Sequence, residues 1–279
     1  MNQVLEVRDL TKQYPSFLLD HLSFTLEEGK ITGFIGRNGA GKTTTIHSLL
    51  GLIHPDEGEI RFWGMNFREN EQKIKQRIGF VSSGMTFYNK QKIGKITSVT
   101  RQFYENWDET QYRECLKLFS LEENKTPEQL SNGMKIKYLL SLALSHGADL
   151  LILDEPTSGL DPVSREELME LFLNLKDEGK TIFYSTHITS DLDKTADNIL
   201  YLAGGKLKAA GSMEDVIGAY RVVHYQELPD VLQGKLIGQR REKNGYSALL
   251  PTEEAEKTAG IETAPANLDE IMIHLEKEE

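Results

Sequence analysis

The chain has a single cysteine, no long apolar stretch and no secretory-signal pattern at its first residues. It has one cysteine, Cys115, in 279 residues, which excludes an internal disulfide framework and indicates a reducing compartment. The longest nearly apolar stretch, residues 138–153, is interrupted by Ser, His, Gly and Asp and is too short to span a bilayer. The first residues, MNQVLEVRDL, predict no secretory signal because no apolar segment follows a basic start. Any membrane role would therefore depend on a partner chain.

An excess of positive charge is also absent. The formal net charge of −11 argues against broad electrostatic binding to nucleic acid or anionic lipid, so we expect no nucleic-acid partner. The composition, 39% hydrophobic and 27% charged, is that of an ordinary globular protein. Residues 212–279 contain 14 acidic and 7 basic residues, a net charge of −7. We expect this part to be a small acidic C-terminal region of unknown role, following a larger domain of residues 1–211.

Strand-like and helix-like segments alternate along the larger domain. Buried-strand patterns occur at residues 31–36, 150–154 and 181–185, and residues 42–53 have a helical apolar face. This alternation predicts an α/β fold with a parallel sheet covered on both faces. Residues 86–145 have no convincing strand pattern and predict an inserted helical unit.

A capping pattern at Asp161 and an amphipathic pattern in the last segment predict two further helices. Asp161 precedes Pro162 and is placed to cap a helix, in which Ser164 and Glu167 have the spacing of a capping box. The last segment, ANLDEIMIHLEKEE, is amphipathic, with Leu268, Ile271, Met272 and Leu275 on one face. That face could dock onto its own chain or mediate self-association.

Residues 36–43, GRNGAGKT, match the phosphate-loop pattern G-x-x-x-x-G-K-[ST] between a strand and a helix. Glycines let backbone N–H groups turn towards an anion, and the helix N-terminus favours negative charge. Lys42 would reach the β- and γ-phosphates, and the Thr43 hydroxyl would ligate Mg²⁺. The motif in this context predicts a nucleoside triphosphate site.

Polar residues follow two other predicted strands. In LLILDE, Asp154 stands at the carboxyl end of a strand and could hold the hydration shell of Mg²⁺. Glu155 is suited to orient or deprotonate an attacking water. His187 follows the TIFYS strand and could contact the γ-phosphate or that water. The alternatives are acids that cap the next turn and a structural or surface histidine.

A polar turn, LSNGMK at residues 130–135, immediately precedes a helical apolar pattern. Ser131 in this turn fits an ordinary helix cap and equally a helix N-terminus directed at an anion. The residues alone leave both interpretations open.

Together these motifs resemble those of the ATP-binding subunits of ABC transporters, over about residues 4–211. The matching segments are GRNGAGKTTT, the signature sequence LSNGMK, the Walker B motif with D-loop LLILDEPTSGLD, and the switch histidine in STH. The resemblance implies the parallel sheet of a P-loop NTPase with an antiparallel β subdomain and an inserted helical subdomain. It also implies ATP and Mg²⁺ as cofactors. The order of motifs is most similar to bacterial subunits that serve separate multispan exporters.

The family's arrangement implies a second copy of the chain, or a homologous subunit, packed head to tail. Ser131 and the N–H groups of Asn132 and Gly133 would contact the partner's γ-phosphate, and Asp161 would communicate between the two sites. Tyr14, in LTKQY, would stack on adenine, unless it is a surface or packing residue. The implied catalytic residues are Lys42, Glu155 and His187, and the implied metal contacts are Thr43, Asp154 and Ser83. The residues implied to bind nucleotide are Tyr14, Gly36, Arg37, Asn38, Gly39, Ala40, Gly41, Lys42, Thr43, Thr44, Ser131, Asn132, Gly133 and Asp161.

The chain departs from the family pattern at three positions. Asn132 and Met134 replace the Gly and Gln of the commonest signature, and Ser83 stands where members usually have Gln. The shorter Ser83 would reach a metal only through water, which affects hydrolysis rate and coupling rather than nucleotide binding. The segment after Gly84, with Phe87 and Tyr88, would dock a membrane subunit or be buried within the insertion.

The resemblance implies a cytoplasmic protein, peripheral on the inner face of the cell membrane. Two other functions fit parts of the pattern. One is an ABC ATPase that acts on ribosomes or DNA, and the other is a nucleotide-switched binding module with low turnover.

Overall fold

The computed structural model describes residues 2–82, 88–258 and 260–277. The strands of these residues are β1 (Gln3–Tyr14), β2 (Phe17–Glu27), β3 (Ile31–Ile35), β4 (Glu57–Phe62), β5 (Met65–Asn66), β6 (Ile78–Ser82), β7 (Leu150–Asp154), β8 (Thr181–Thr186), β9 (Asn198–Ala203), β10 (Lys206–Ser212), β11 (Tyr220–Tyr225), β12 (Ile237–Glu242), β13 (Gly245–Pro251) and β14 (Thr263–Pro265). The α-helices are α1 (Lys42–Leu49), α2 (Phe67–Lys75), α3 (Ile93–Thr100), α4 (Glu109–Leu118), α5 (Asn132–Ser145), α6 (Pro162–Asp177), α7 (Thr189–Thr195), α8 (Met213–Gly218), α9 (Thr252–Lys257) and α10 (Leu268–Leu275).

The central sheet has six strands in the order β10-β9-β3-β8-β7-β6. All of its neighbouring strands pair in parallel except β10, which is antiparallel to β9. Every residue of β3, β7 and β8 is buried. Strands buried on both faces are continuous apolar runs, which is why these segments lack the alternation of a half-exposed strand. The predicted α/β fold with a parallel sheet is confirmed.

An antiparallel sheet, in the order β2-β1-β4-β5, packs against one face of the central sheet. The contact is aromatic: the ring of Phe24 lies 6.4 Å from that of Phe34 and 6.1 Å from that of Phe183, between centroids. Stacked rings at these distances add to the stabilisation that burial gives. This sheet is the predicted antiparallel β subdomain, and its β1–β2 hairpin extends towards the phosphate loop.

The described part of the helical insertion, residues 88–145, contains α3, α4 and α5 and no strand. A buried polar network joins the three helices: Thr97 Oγ1 lies 2.9 Å from Tyr112 Oη and 3.0 Å from Tyr138 Oη. Tyr138 Oη also donates to the carbonyl of Ile93 at 3.1 Å. Buried hydroxyls need partners, so this network fixes α5 relative to α3.

Residues 213–277 are more structured than their sequence suggested. They contain an antiparallel sheet in the order β12-β13-β11-β14, on which α10 packs. The apolar face predicted for the last segment is buried within the chain at Leu268, Ile271 and Leu275. The strand β10 ends at Ser212, beside the division predicted after residue 211. That division into two domains stays a prediction.

Two local predictions are wrong. The helix predicted for residues 42–53 ends at Leu49, because Gly51 adopts a left-handed backbone with φ 69°. Ser164 and Glu167 form no capping box: Ser164 donates to Asp161, which caps the helix alone, and Glu167 pairs with Lys137. Asp161 precedes Pro162 and accepts hydrogen bonds from the N–H groups of Val163 and Ser164. Asp161 is therefore the N-cap residue of α6.

Within the described ranges, no helix has the length and apolar character needed to cross a bilayer.

A largely apolar groove of about 720 Å³ lies between the central sheet and the helical insertion. Its walls include Leu52, Phe80, Ile96, Val99 and Leu142. At its base, the ring of His146 stacks on Tyr104 with centroids 3.8 Å apart, and its Nδ1 lies 3.2 Å from the carbonyl of Gln76. Burial lowers the pKa of His146 to about 4, since the apolar surroundings disfavour the charged ring.

The pKa of His146 predicts a pH-dependent loss of stability. The folded-state pKa lies below the unfolded value of 6.5, so the contribution is complete above pH 6.5 and is lost as the pH falls towards about 4. We expect the wild type to lose about 2 kcal/mol more of its unfolding free energy than His146→Gln between about pH 7.5 and about pH 5. Urea denaturation at both pH values measures the difference, with the exposed His54→Gln as control. Equal losses in wild type and His146→Gln would contradict the assignment.

Candidate functional site

The register of the central sheet brings three predicted site segments to one edge. Ile35, at the end of β3, pairs with Thr186 on β8. On the other side of β8, Leu153 of β7 pairs with Tyr184. Parallel strands that end together expose their following residues at the same edge. The phosphate loop, Asp154 with Glu155, and His187 therefore meet there.

The phosphate loop connects β3 to α1 and fits closely against the rest of the sheet. An ideal Cβ on Gly36 would lie 2.2 Å from the carbonyl oxygen of Leu202, so only glycine fits there. Gly41 has a φ of 113°, and a Cβ on it would lie 2.8 Å from Cζ of Phe17. Gly36 and Ala40 are buried, whereas Arg37, Asn38 and Gly39 are exposed at the crest of the loop. The loop is thus fixed at its base and presents its crest to solvent.

Lys42 is buried, and its ammonium lies within the loop that precedes it. Its Nζ donates to the carbonyl of Gly36 at 2.7 Å and to that of Arg37 at 3.3 Å. The same Nζ lies 3.1 Å from Glu155 Oε1. That contact has the distance of an ion pair without the angles of a hydrogen bond, so Glu155 Oε1 is a buried acceptor with no donor among the described residues.

Asp154 and Glu155 adopt different roles at the end of β7. Asp154 Oδ2 accepts a hydrogen bond from the Thr43 hydroxyl at 3.0 Å, which places two of the three predicted metal contacts side by side. Glu155 has a φ of 49°, a left-handed conformation that costs a non-glycine residue about 1–3 kcal/mol. This turn directs its carboxylate back towards Lys42 and towards His187, whose Nδ1 lies 2.9 Å from Glu155 Oε2.

Ser185 is a site residue that the sequence analysis did not single out. Its hydroxyl donates to Asp154 Oδ1 at 2.6 Å and accepts the Glu155 N–H at 2.9 Å. It is fully buried on β8, two residues before His187. The serine of TIFYS, at the end of a predicted buried strand, was the available signal. Its role depends on strand order, which the motif alone did not show.

Tyr14 ends β1 at the tip of a hairpin and is partly exposed, with Lys12 Nζ 5.9 Å from the centre of its ring. It pairs with Phe17, the residue that contacts the base of the phosphate loop at Gly41. The hairpin therefore carries an exposed aromatic ring near that loop. Thr44 follows Thr43 in the first turn of α1 and is half-buried.

The signature residues lie at the start of α5, beside the D-loop. Ser131 caps α5 by accepting the Met134 N–H at 3.2 Å, so the helix-cap interpretation of this turn holds. Asn132 Nδ2 lies 3.5 Å from an ideal Cβ on Gly159, which places the signature beside the D-loop of its own chain. Ser131, Asn132 and Asp161 are exposed. The Ser164 hydroxyl and N–H lower the pKa of Asp161 and keep it charged at the helix start.

Two predicted positions, Ser83 and Phe87, lie outside the described residues. Tyr88 is described, is 75% exposed and lines the groove below the helical insertion. Its exposure excludes the alternative that this ring is buried within the insertion.

This geometry defines a nucleoside triphosphate site of the P-loop type. The family model described as "ABC transporter" matches residues 19–158. The bacitracin transport ATP-binding protein BcrA of Bacillus licheniformis is 39% identical over 211 residues, covering 74% of this chain and 69% of that protein. The ABC transporter ATP-binding protein YtrB of Bacillus subtilis is 26% identical over 98% of this chain and 96% of its own length.

A solved structure of an ATP-binding subunit of an ABC transporter superposes with a TM-score of 0.69 at 29% identity, covering 76% of this chain and 91% of that one. The chain belongs to the ABC transporter family and is one of its ATP-binding subunits. It is an ABC-type ATPase that binds ATP, as the resemblance implied.

The position of Ser185 predicts a selective effect on turnover. Ser185→Ala removes a donor from Asp154 and an acceptor from the strained Glu155 backbone, so we expect kcat for ATP hydrolysis to fall about tenfold or more. Binding of ATP should change less than about twofold, since the phosphate loop is untouched. Phosphate release and nucleotide binding by fluorescence measure the two quantities.

The matched control is Ser141→Ala, an equally buried serine whose hydroxyl donates to the carbonyl of Lys137 within α5. It should retain the wild-type kcat. A normal kcat in Ser185→Ala would show that the hydroxyl does not support the acidic pair.

Proposed function

We propose that two copies of the chain pair head to tail and that each ATP site takes residues from both. The observation that carries this proposal is the exposure of a second anion-binding element, the start of α5 at Ser131 and Asn132. Lys42, Glu155 and His187 meet at one edge of the sheet, whereas Ser131 caps a helix beside the D-loop, in which Gly159 and Asp161 are exposed. A signature that borders its own D-loop, with Ser131 and Asn132 exposed, is available to a facing copy. The free N–H groups of a helix start bind anions, so Ser131, Asn132 and Gly133 would contact the γ-phosphate held by the partner.

Mg²⁺ fits the oxygen atoms at this edge. The Thr43 hydroxyl and Asp154 Oδ2 lie 3.0 Å apart, and both are the hard oxygen donors that this ion prefers. Among the residues that the structure describes, no cluster of three or more His, Cys, Asp and Glu side chains forms a metal site by itself. Mg²⁺ commonly uses one or two protein ligands together with phosphate oxygens, which matches Thr43 and Asp154. When bound, it would neutralise charge on the transferred phosphoryl group.

The proposed catalytic roles follow from the charge of each side chain and from its position at the phosphate loop. Lys42 would supply the cation for the β- and γ-phosphates, while the exposed Arg37, Asn38 and Gly39 would supply backbone N–H groups. The Ala40 N–H donates to the Arg37 carbonyl at 3.1 Å and so holds the turn of the loop. Glu155 carries a carboxylate at the phosphate loop, with Oε1 3.1 Å from the Lys42 ammonium, so it is placed to accept a proton from a water at the γ-phosphate. His187 holds the other carboxylate oxygen and so orients Glu155, and its exposed ring can contact the γ-phosphate. Tyr14 would stack on adenine at the end of its hairpin.

A separate membrane subunit would dock in the groove between the central sheet and the helical insertion. The groove is largely apolar, and Tyr88 and Val99 on its rim are exposed. A helix of the membrane subunit would bury these side chains. The groove also lies along α5, whose other end carries Ser131, so that one helix connects the docking surface with the ATP site of the facing copy. BcrA is named for bacitracin transport, and by similarity we propose export, with the subunit at the inner face of the membrane.

The proposed dimer predicts the behaviour of Glu155→Gln. The substitution keeps the shape of the side chain and removes the proton acceptor, so kcat should fall about a hundredfold or more while ATP still binds. The unhydrolysed nucleotide should then hold the two copies together. Light scattering with size exclusion, in saturating Mg·ATP, should give twice the mass of the nucleotide-free chain.

The control is Glu253→Gln, an exposed glutamate on α9, which should hydrolyse ATP at the wild-type rate. If Glu155→Gln stays monomeric with saturating Mg·ATP while the wild type hydrolyses well, Glu155 does not have the proposed role.

A further inference from the structure

The last helix, α10, contacts the ATPase edge at two places. Near its start, Asp269 Oδ1 accepts the hydroxyl of Thr189 at 2.6 Å. Near its end, Tyr201 Oη donates to the carbonyl of Met272 at 3.2 Å and to Glu276 Oε1 at 3.1 Å. The apolar face of the helix is buried in the same core cluster as Tyr201. The helix is therefore an integral neighbour of the site rather than a free tail.

The contact at Thr189 bears on the switch histidine. The loop that carries His187 is held on one side by β8, where the Thr186 hydroxyl accepts the Ile188 N–H at 3.0 Å. On the other side, Thr189 begins α7 and is held by Asp269. His187 lies between these anchors, with its side chain 43% exposed and its Nδ1 on Glu155. An exposed ring with few packing contacts depends on its backbone for its position.

The contact at the other end of α10 lies beside the phosphate loop. Tyr201 pairs across the sheet with Ile35, which precedes Gly36. Glu276 Oε2 also lies 3.8 Å from Arg37 Nη1, but the Arg37 side chain is 75% exposed and such a pair contributes little. Asp269 is the stronger candidate for an effect on the reaction. Its side chain is short, and it accepts a 2.6 Å hydrogen bond from a buried threonine.

The position of α10 is set in turn by the C-terminal sheet. His274 Nδ1 lies 2.5 Å from the carbonyl of Gly238 on β12. An ideal Cβ on Gly238 would lie 1.7 Å from the carbonyl oxygen of His274, so the helix and the strand are in backbone contact. A displacement of this sheet would therefore reach Thr189 through α10.

We propose that Asp269 is a positioning residue for ATP hydrolysis, holding Thr189 so that His187 faces Glu155. Through this bond residues 213–277 would set the turnover rate of the ATP site. The inference rests on the proposed role of His187, and it concerns an element outside every motif of the site. The bond acts on the loop of His187 and leaves the phosphate loop unchanged, so it should affect kcat rather than the KM for ATP.

Four variants test the proposal by steady-state ATP hydrolysis. Asp269→Ala and Thr189→Val each remove one partner of the bond, and each should lower kcat about tenfold with KM changed less than about twofold. Asp269→Asn retains an acceptor oxygen and should recover most of the wild-type kcat. The double variant Asp269→Ala with Thr189→Val should be no slower than either single variant, because both remove the same interaction. Asp230→Ala, an exposed aspartate of the same C-terminal segment, should match the wild type.

His187→Ala separates this inference from the proposed function. If His187→Ala is slow and Asp269→Ala has the wild-type kcat, the role of His187 stands and the positioning role of Asp269 is overturned. If Asp269→Ala slows the His187→Ala protein by a further tenfold, the effect does not pass through His187 and the inference is also overturned. A wild-type kcat in His187→Ala would overturn both the proposed role of His187 and the positioning role of Asp269.

Discussion

The in-register parallel pairing of β3, β8 and β7 is the constraint on which the site depends. The three strands are buried throughout, so each is held by hydrogen bonds on both sides and by packing on both faces. A shift of one residue would reverse the faces of a strand and displace the groups that follow it. Because the register is fixed, a loop, an acidic pair and a histidine from distant parts of the sequence end at the same edge.

At that edge each carboxylate has its partners within the chain. Glu155 lies between Lys42 and His187, and Asp154 is held by Thr43 and Ser185. The left-handed backbone of Glu155 is maintained by the same Ser185 hydroxyl. The strain is thus stored where the proposed proton acceptor must point towards the phosphates. The signature helix is anchored elsewhere, through Tyr138 and the insertion, and presents Ser131 outward.

Short motifs predicted the parts of this arrangement that are local in sequence. The phosphate loop, the acidic strand end and the cap at Asp161 each occupy a few consecutive residues, and the structure places them as expected. Ser185 and the backbone of Glu155 were not predicted, because their roles arise only when β7 and β8 lie side by side. The bond between Thr189 and Asp269 joins residues 80 positions apart, and no periodicity connects them. The C-terminal sheet has no motif and was not predicted, whereas the spacing of Leu268, Ile271 and Leu275 did predict the buried apolar face of α10.

The central claim is that an ATP site is complete only between two copies. It is tested most directly by mixing two inactive variants, Lys42→Ala and Ser131→Arg, and measuring ATP hydrolysis. A mixed dimer would contain one site with an intact phosphate loop from one copy and an intact signature from the other. The account predicts that each variant alone is inactive and that an equal mixture recovers about a quarter of the wild-type rate. Full activity of Ser131→Arg alone, or a mixture as inactive as its components, would contradict it.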